Sequence, residues 1–330
     1  MRGATPCHLL LVPSPTGRRT PLTTQGLVLE GTWFQEGRLF ARWSPASRAL
    51  LKETKLQLYR VLRSKLRPSC THLKGHGGVK GAIRALSRLT RSFRYVARFD
   101  VARYYESIDH ATLLELLTRL GVSREQRALT EEALRLPDRS QRGVGLVAGC
   151  SLSPLLAGVM LSPLDEAMHR LSRRGEIAYV RYMDDFVVLA KKRHPFRRAL
   201  KRVYRVINQL RLRLHETKRR IGKVARGFSF LGYHFKPGQR LRPSRESHRR
   251  RSLKCRRLYE RGASPQRLWQ YLSRWCRWHW GGLGDRVSRR GGVKGVFVRE
   301  LKALGVKGCS LPKRAHQATA PRWQEHSASG

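Results

Sequence analysis

Apolar residues along this chain recur at two periods, and the switches between them mark out its elements. Over 44–66, Leu50, Leu51, Leu56, Leu58, Val61, Leu62 and Leu66 supply helical apolar faces, behind Ser44-Pro45, a cap followed by a first-turn proline. Residues 93–101 are strand-like, with Asp100 near the C-terminal end. Asp109 is placed to cap a helix over 111–120, and Ser123-Arg124-Glu125-Gln126 is a capping box that opens a second helix to about residue 136. Ser153-Pro154 repeats the cap-and-proline signal and begins a helix through Leu156, Met160, Leu161, Leu164 and Met168. At 177–190 two short apolar, β-branched and aromatic runs flank Asp184-Asp185, the pattern of a tight hairpin. An amphipathic helix follows over 195–212, with Phe196, Leu200, Val203, Ile207 and Leu210 on one face. Residues 228–235 alternate as a strand or tight hairpin, and Ser264-Pro265 opens a helix that Gly281-Gly282 stops.

Between these elements the composition shifts. Residues 1–44 are rich in Gly, Pro, Thr and Arg and read as a poorly ordered lead-in, with at most a short strand at 26–29. The main body is expected at 45–235. Residues 236–257 carry ten Lys or Arg against a single acid, Glu246, so 236–285 reads as a basic helical region. Residues 286–330 are Gly-rich, basic and poor in apolar side chains, which predicts a partly disordered tail.

Charge narrows the class of partner. With 69 Lys and Arg against 22 Asp and Glu, the formal net charge is +47. Such a chain repels itself unless a polyanion shares the complex, and nucleic acid is the economical choice because bound Lys and Arg release condensed counterions. The basic residues are spread over the chain rather than gathered on one amphipathic segment, which argues against a membrane surface. The six cysteines show no C-x-x-C spacing, so neither a zinc site nor a disulfide framework is expected. No apolar run is long enough to span a bilayer. A cytoplasmic protein is expected.

Only seven aspartates occur, and two of them, Asp184 and Asp185, are adjacent and flanked by apolar runs. Two like charges at a hairpin tip need a cation to neutralise them. An exposed acidic turn and a divalent-metal site for phosphoryl transfer both fit this stretch alone. The loop 70–81 has four glycines and two lysines, suited to close approach to phosphate, but lacks the order of a P-loop.

Five ordered stretches together carry a resemblance. Phe99-Asp100-x-x-x-Tyr104-Tyr105-x-Ser107-Ile108-Asp109-His110 resembles the first catalytic motif of bacterial reverse transcriptases, and Gly149-x-x-x-Ser153-Pro154-Leu155-Leu156-Ala157 resembles the next. Arg181-Tyr182-Met183-Asp184-Asp185-Phe186 is similar to the metal-binding hairpin, and Thr217-Lys218 and Phe230-Leu231-Gly232-Tyr233 to the fourth and fifth motifs. The likeness spans about 90–235 well and 45–90 weakly, nearest to group II intron, retron and diversity-generating enzymes.

This resemblance implies an α+β right-hand polymerase: a fingers–palm antiparallel sheet backed by helices, then a basic helical thumb. It implies an RNA-directed DNA polymerase of a bacterial retroelement, extending a DNA or RNA primer on an RNA template with dNTPs. Two Mg²⁺ ions, or Mn²⁺ in their place, would be held by Asp100, Asp184 and the carbonyl of Val101, with Asp185 more peripheral; hard cations of this kind prefer oxygen. Tyr105 stands where the family excludes a ribose 2′-hydroxyl, although a core tyrosine fits the same position. Lys218 is a candidate for the pyrophosphate leaving group or a solvated surface lysine. Ala148 and Gly149 fall in the nucleotide pocket, and Ser153, Pro154, Tyr182, Met183, Leu231 and Gly232 along primer and template. Lys74, Lys80 and Arg84 are the candidates for contact with the triphosphate.

One departure is clear: relatives carry Pro-Gln before the motif glycine, where this chain has Val147-Ala148-Gly149. The missing glutamine bears on fidelity and substrate choice. The rival readings are a non-catalytic, maturase-like RNA-binding protein on a polymerase scaffold and an untemplated or defence-associated polymerase.

Overall fold

The computed structural model describes residues 11–13, 19–21, 26–35, 37–138 and 140–306. It divides into two compact units, Met1–Leu231 and Gly232–Gly330. In the first unit the strands β1 (Leu11–Pro13) and β2 (Arg19–Pro21) pair antiparallel, as do β3 (Leu29–Gln35) and β4 (Arg38–Trp43). Helices α1 (Pro45–Leu62) and α2 (Gly78–Leu89) follow, then β5 (Tyr95–Asp100), α3 (His110–Arg119) and α4 (Arg124–Arg135). Next come α5 (Ser153–Met160), α6 (Ser162–Ser172), the hairpin strands β6 (Ile177–Tyr182) and β7 (Asp185–Ala190), and α7 (Arg193–Gln209). Short strands β8 (Arg220–Lys223) and β9 (Phe228–Phe230) close the unit.

Four strands in the order β6-β7-β5-β8 form one antiparallel sheet. Its register puts Asp100 directly opposite Asp185 and Phe99 opposite Phe186. The two phenylalanines are fully buried with ring centroids 5.4 Å apart, an aromatic cross-strand pair that contributes about 0.2–1 kcal/mol. Slipping the register by one residue would turn both rings to the opposite face and part the aspartates, so burial fixes the carboxylates' alignment. Helices α6 and α7 pack against this sheet and share its core with Leu58, Leu117, Leu152 and Met168.

Most expected caps are present. Ser44, Asp109 and Ser123 each accept a hydrogen bond from the backbone N–H three residues on, satisfying donors that a helix start leaves orphaned. Ser153 differs from expectation: Leu152 occupies the cap position, and the Ser153 hydroxyl donates to the Val147 carbonyl at 2.6 Å. The single helix expected beyond it breaks at Leu161, where Ser162-Pro163 starts α6.

Part of the lead-in expected over 1–44 differs, while its residues 1–10, 14–18, 22–25 and 36 lie outside the described residues. Within it, β3 and β4 form a hairpin whose last residue, Trp43, is 1% exposed. Exposed ring faces such as Phe34 hid this hairpin from an alternation count. Helix α2 begins inside the glycine-rich loop expected over 70–81 and runs on to Leu89.

The second unit holds β10 (Tyr233–Phe235) and β11 (Arg242–Pro243), which pair antiparallel, and helices α8 (Arg245–Glu260), α9 (Pro265–Trp280) and α10 (Gly292–Ala303). The helices enclose Cys255, Leu272, Cys276 and Phe297. Trp269 packs edge-on against Phe297, and the Arg251 guanidinium lies 4.7 Å from the Trp275 ring centroid. Core packing therefore accounts for those two tryptophans, while Trp278 is 50% exposed. The ordered helix α10 lies inside the stretch expected as a loose tail, 286–330, of which residues 307–330 lie outside the described residues. Among the described residues no helix is long and apolar enough to cross a membrane.

Candidate active site

Strand register brings the three aspartates to one place. Asp100 ends β5, Asp185 begins β7 opposite it, and Asp184 occupies the two-residue turn with Met183. The main chain pins Asp100 on both sides: its carbonyl accepts from His215 N–H at 2.7 Å, and the next amide, that of Val101, donates to the Asp184 carbonyl at 3.2 Å. Asp184 lies close enough to Asp100 that burial and the neighbouring negative charge hold its pKa above the usual carboxylate range.

The carboxylates differ in their partners. Asp185 is gripped by Arg98, with Nε 2.9 Å from Oδ1 and Nη2 2.7 Å from Oδ2. Burial pushes its pKa up to about 6 in spite of this partner, with Asp100 and Asp184 adding to the rise. Asp100 instead meets the Lys218 ammonium, Nζ 3.1 Å from Oδ1. Lys218, 118 residues further along the chain, is thereby brought to Asp100. Among the described residues, no three His, Cys, Asp or Glu side chains stand ready as a metal cage. The two carboxylates that Arg98 does not engage are Asp100, which meets Lys218, and Asp184.

Tyr105 follows on a short 3-10 turn, Tyr105–Ser107. Its carbonyl accepts from Leu146 N–H at 2.7 Å, and burial followed by the Asp184 charge pushes its phenol up to about 12. The segment 147–149 joins β4 by main-chain bonds: Ala148 N–H donates to Leu39 O at 2.8 Å, and Ala41 N–H to Ala148 O at 3.0 Å. Gly149 next to it has φ +87°, and a Cβ there would stand 3.0 Å from the Ala41 carbonyl. Glycine is required at that spot by conformation and by the close approach of β4. Ser153 holds the same segment through Val147, and Pro154 lies beneath the hairpin turn, its carbonyl 3.0 Å from His72 Nε2. Tyr182 is half-buried, its ring edge-on to His72 with centroids 6.0 Å apart. Leu231 and Gly232 stand at the division between the two units, both with positive φ. Lys74 is exposed, and Lys80 and Arg84 sit on α2.

Sequence reading passed over several residues that support the site. Arg38 at the start of β4 is near enough to lower the pKa of both Asp184 and Tyr105. Arg98, two residues before Asp100, shares its face of β5, a signal visible in the strand period. Arg181 and Asp165 are fully buried as an ion pair, Arg181 Nε 2.8 Å from Asp165 Oδ1. Tyr179 donates its hydroxyl to the same Oδ1 at 2.9 Å, and Arg181 Nη2 reaches the Gly158 carbonyl at 3.1 Å. An arginine in the middle of an apolar strand was the available signal, since buried charge requires a partner.

Residues 35–235, more than half of the chain, match the family model described as reverse transcriptase (RNA-dependent DNA polymerase). Protein YkfC of Escherichia coli (strain K12) is 25% identical over 179 residues, which cover 42% of this chain and 46% of that protein. The chain thus spans about half the length of this curated relative. Among solved structures, telomerase from Candida albicans in complex with a TWJ fragment of telomeric RNA gives a TM-score of 0.50 at 12% identity, covering 77% of this chain and 46% of that one. Apo telomerase from Candida Tropicalis gives 0.51 at 10% identity, covering 90% and 64%. Identity at that level speaks to fold alone, and the fold is the right-hand polymerase in its α+β form. By the extent of the family match and by this fold, the chain belongs to the reverse transcriptase family.

Proposed function

We propose that this protein is an RNA-directed DNA polymerase that extends a DNA or RNA primer on an RNA template with dNTPs, as part of a bacterial retroelement. The observation that carries this reading is the convergence of Asp100 and Asp184 from sequence-distant strands, with Lys218 drawn onto Asp100. Two carboxylates not engaged by Arg98 and a neighbouring main-chain carbonyl, that of Val101, are an all-oxygen donor set suited to Mg²⁺. A pair of such ions, when bound, lowers the pKa of a primer 3′-hydroxyl and neutralises charge on a triphosphate. Asp185, with both oxygens engaged by Arg98, serves as the peripheral member.

The chain's own side chains supply the remaining roles. Lys218 is placed to leave Asp100 and neutralise or protonate the departing pyrophosphate. Arg38 takes the triphosphate-facing part, in preference to Lys74, Lys80 and Arg84, because its charge acts on both Asp184 and Tyr105. Tyr105, held by Leu146, closes over the sugar where a 2′-hydroxyl would project. Ala148 and Gly149 shape the base pocket, while Ser153, Pro154, Tyr182, Met183, Leu231 and Gly232 border primer and template. The unit 232–330, with its arginine-rich α8, acts as the thumb, and the net charge of +47 suits it to a polyanion.

Primer extension on an RNA template tests this. Wild-type protein should add dNTPs with Mg²⁺ or Mn²⁺, and Asp184→Asn should add none. Absence of extension by the wild type under both ions would overturn the activity, and extension by Asp184→Asn at the wild-type rate would overturn the site.

A further inference from the structure

The turn that presents Asp184 is not in a relaxed conformation. Met183 has φ +57°, a left-handed backbone that non-glycine residues adopt only when their surroundings impose it. Side chains hold both of its main-chain polar groups, one from β6 of the hairpin and one from outside it. Its carbonyl accepts from Arg181 Nη1 at 2.9 Å, and its N–H donates to His72 Nδ1 at 3.2 Å. Arg181 is itself fixed by Asp165 and Gly158.

His72 is fixed as firmly. Its segment runs beside β6: Arg181 N–H donates to Ser69 O at 2.8 Å, and Thr71 returns its N–H to Arg181 O at 2.8 Å. Because Nδ1 accepts from Met183, the ring proton belongs on Nε2, which donates to the Pro154 carbonyl at 3.0 Å. Helix α5 presses on the ring at Gly158, where an added Cβ would lie 3.4 Å from Nε2. Burial and the Arg181 charge push the His72 pKa down to about 4, which keeps Nδ1 an acceptor at neutral pH.

We propose that His72 is a positioning residue for catalysis: its Nδ1 holds the Met183 amide and, with Arg181, locks the turn that aims Asp184 at the reacting atoms. The assignment rests on the polymerase reading above. It gives the glycine-rich loop 70–81 a task other than cradling phosphate, since the loop carries the imidazole under the turn. Outer partners that orient a metal-binding group typically change activity about 10–100-fold when removed.

The test compares full-length wild type with His72→Ala, His72→Asn and His72→Gln. An asparagine amide oxygen falls near the Nδ1 position, whereas a glutamine amide falls near Nε2. Single-nucleotide extension, deuterium uptake of the 177–190 peptide and thermal unfolding are measured on each. Ala and Gln should lower kcat by about 10–100-fold, with KM for dNTP changed by less than about threefold, the signature of lost alignment rather than lost binding. Both should speed uptake in the hairpin, and Asn should restore kcat and slow uptake. If wild type extends and His72→Ala matches it in kcat and uptake, the His72 assignment alone falls. Asn as defective as Gln overturns it equally, and that comparison serves if the Ala variant fails to fold. If wild type extends no primer, the polymerase reading falls, and the role of His72 in it falls too.

Discussion

Arg98 closes on Asp185 with both arms of its guanidinium, one oxygen to each nitrogen. Asp100, one pair further along the same face, is left to Lys218, a side chain 52% exposed. The two strands therefore carry one carboxylate fixed by a permanent partner and one held by a partner free to swing away. Replacing Arg98 with Met leaves Asp185 buried and unpaired, with an expected loss of about 1–3 kcal/mol of stability. Urea unfolding of Arg98→Met, Arg98→Lys and Arg98→Met/Asp185→Asn measures it. The double variant should recover part of the loss, and Lys should fall between Arg and Met because it lacks the fork.

The Arg181–Asp165 pair is fully buried, so removing one partner costs more. Arg181→Met or Asp165→Leu should each destabilise by about 3–5 kcal/mol, and the double variant should recover most of that. Denaturant midpoints in a double-mutant cycle check the coupling.

Tyr105 is expected to discriminate between sugars. Tyr105→Ala should reduce the preference for dNTPs over rNTPs by about 10–200-fold, the range a steric pocket commands. The ratio of kcat/KM values for dATP and ATP on one primer-template reads it directly.

Ala148 is held by its main chain, and its side chain is half-exposed. Ala148→Gln should therefore keep stability within about 0.5 kcal/mol and change misincorporation, measured by sequencing extension products.

His72 gives stability a dependence on pH. Its folded pKa, about 4, lies below the ordinary value of 6.5, so the unfolded chain takes up the proton first. Stability is then full above about pH 6.5 and falls as the pH drops toward 4. Besides burial, the charges of Arg181 and His76 disfavour the protonated ring, and the Pro154 carbonyl opposes them; the Cys70 thiol, 3.4 Å away, is pushed up to about 12 and stays neutral. Thermal midpoints across that window should drop in wild type and less steeply in His72→Asn.

What was legible in the sequence was the local part. The strands around Asp184-Asp185 showed in their β-branched runs, and the caps at Ser44, Asp109 and Ser123 showed because each side chain finds its partner three residues along the chain. The meeting of Asp100 with the hairpin followed from the order of motifs, and strand register supplies the contact. Arg98 could have been found by counting two residues back along β5. The partners of Arg181 and His72 could not, since Asp165, Gly158 and Pro154 come to them only through packing. The β3–β4 hairpin was missed because exposed aromatics such as Phe34 blurred its alternation, and α2 because glycines obscured its start.

The clamp on Met183 also sets an order of events. A β-hairpin closes in about 1–10 μs once its strands exist, and the Asp184-Asp185 pair is present as soon as that hairpin forms. The imidazole that aligns it comes from 111 residues earlier in the chain, and the Arg98 that neutralises it from 87 earlier. Contacts of such long range form late. The hairpin can therefore close on its own strands, whereas the alignment of its acidic turn waits on partners far away along the chain and is a property of the assembled fold.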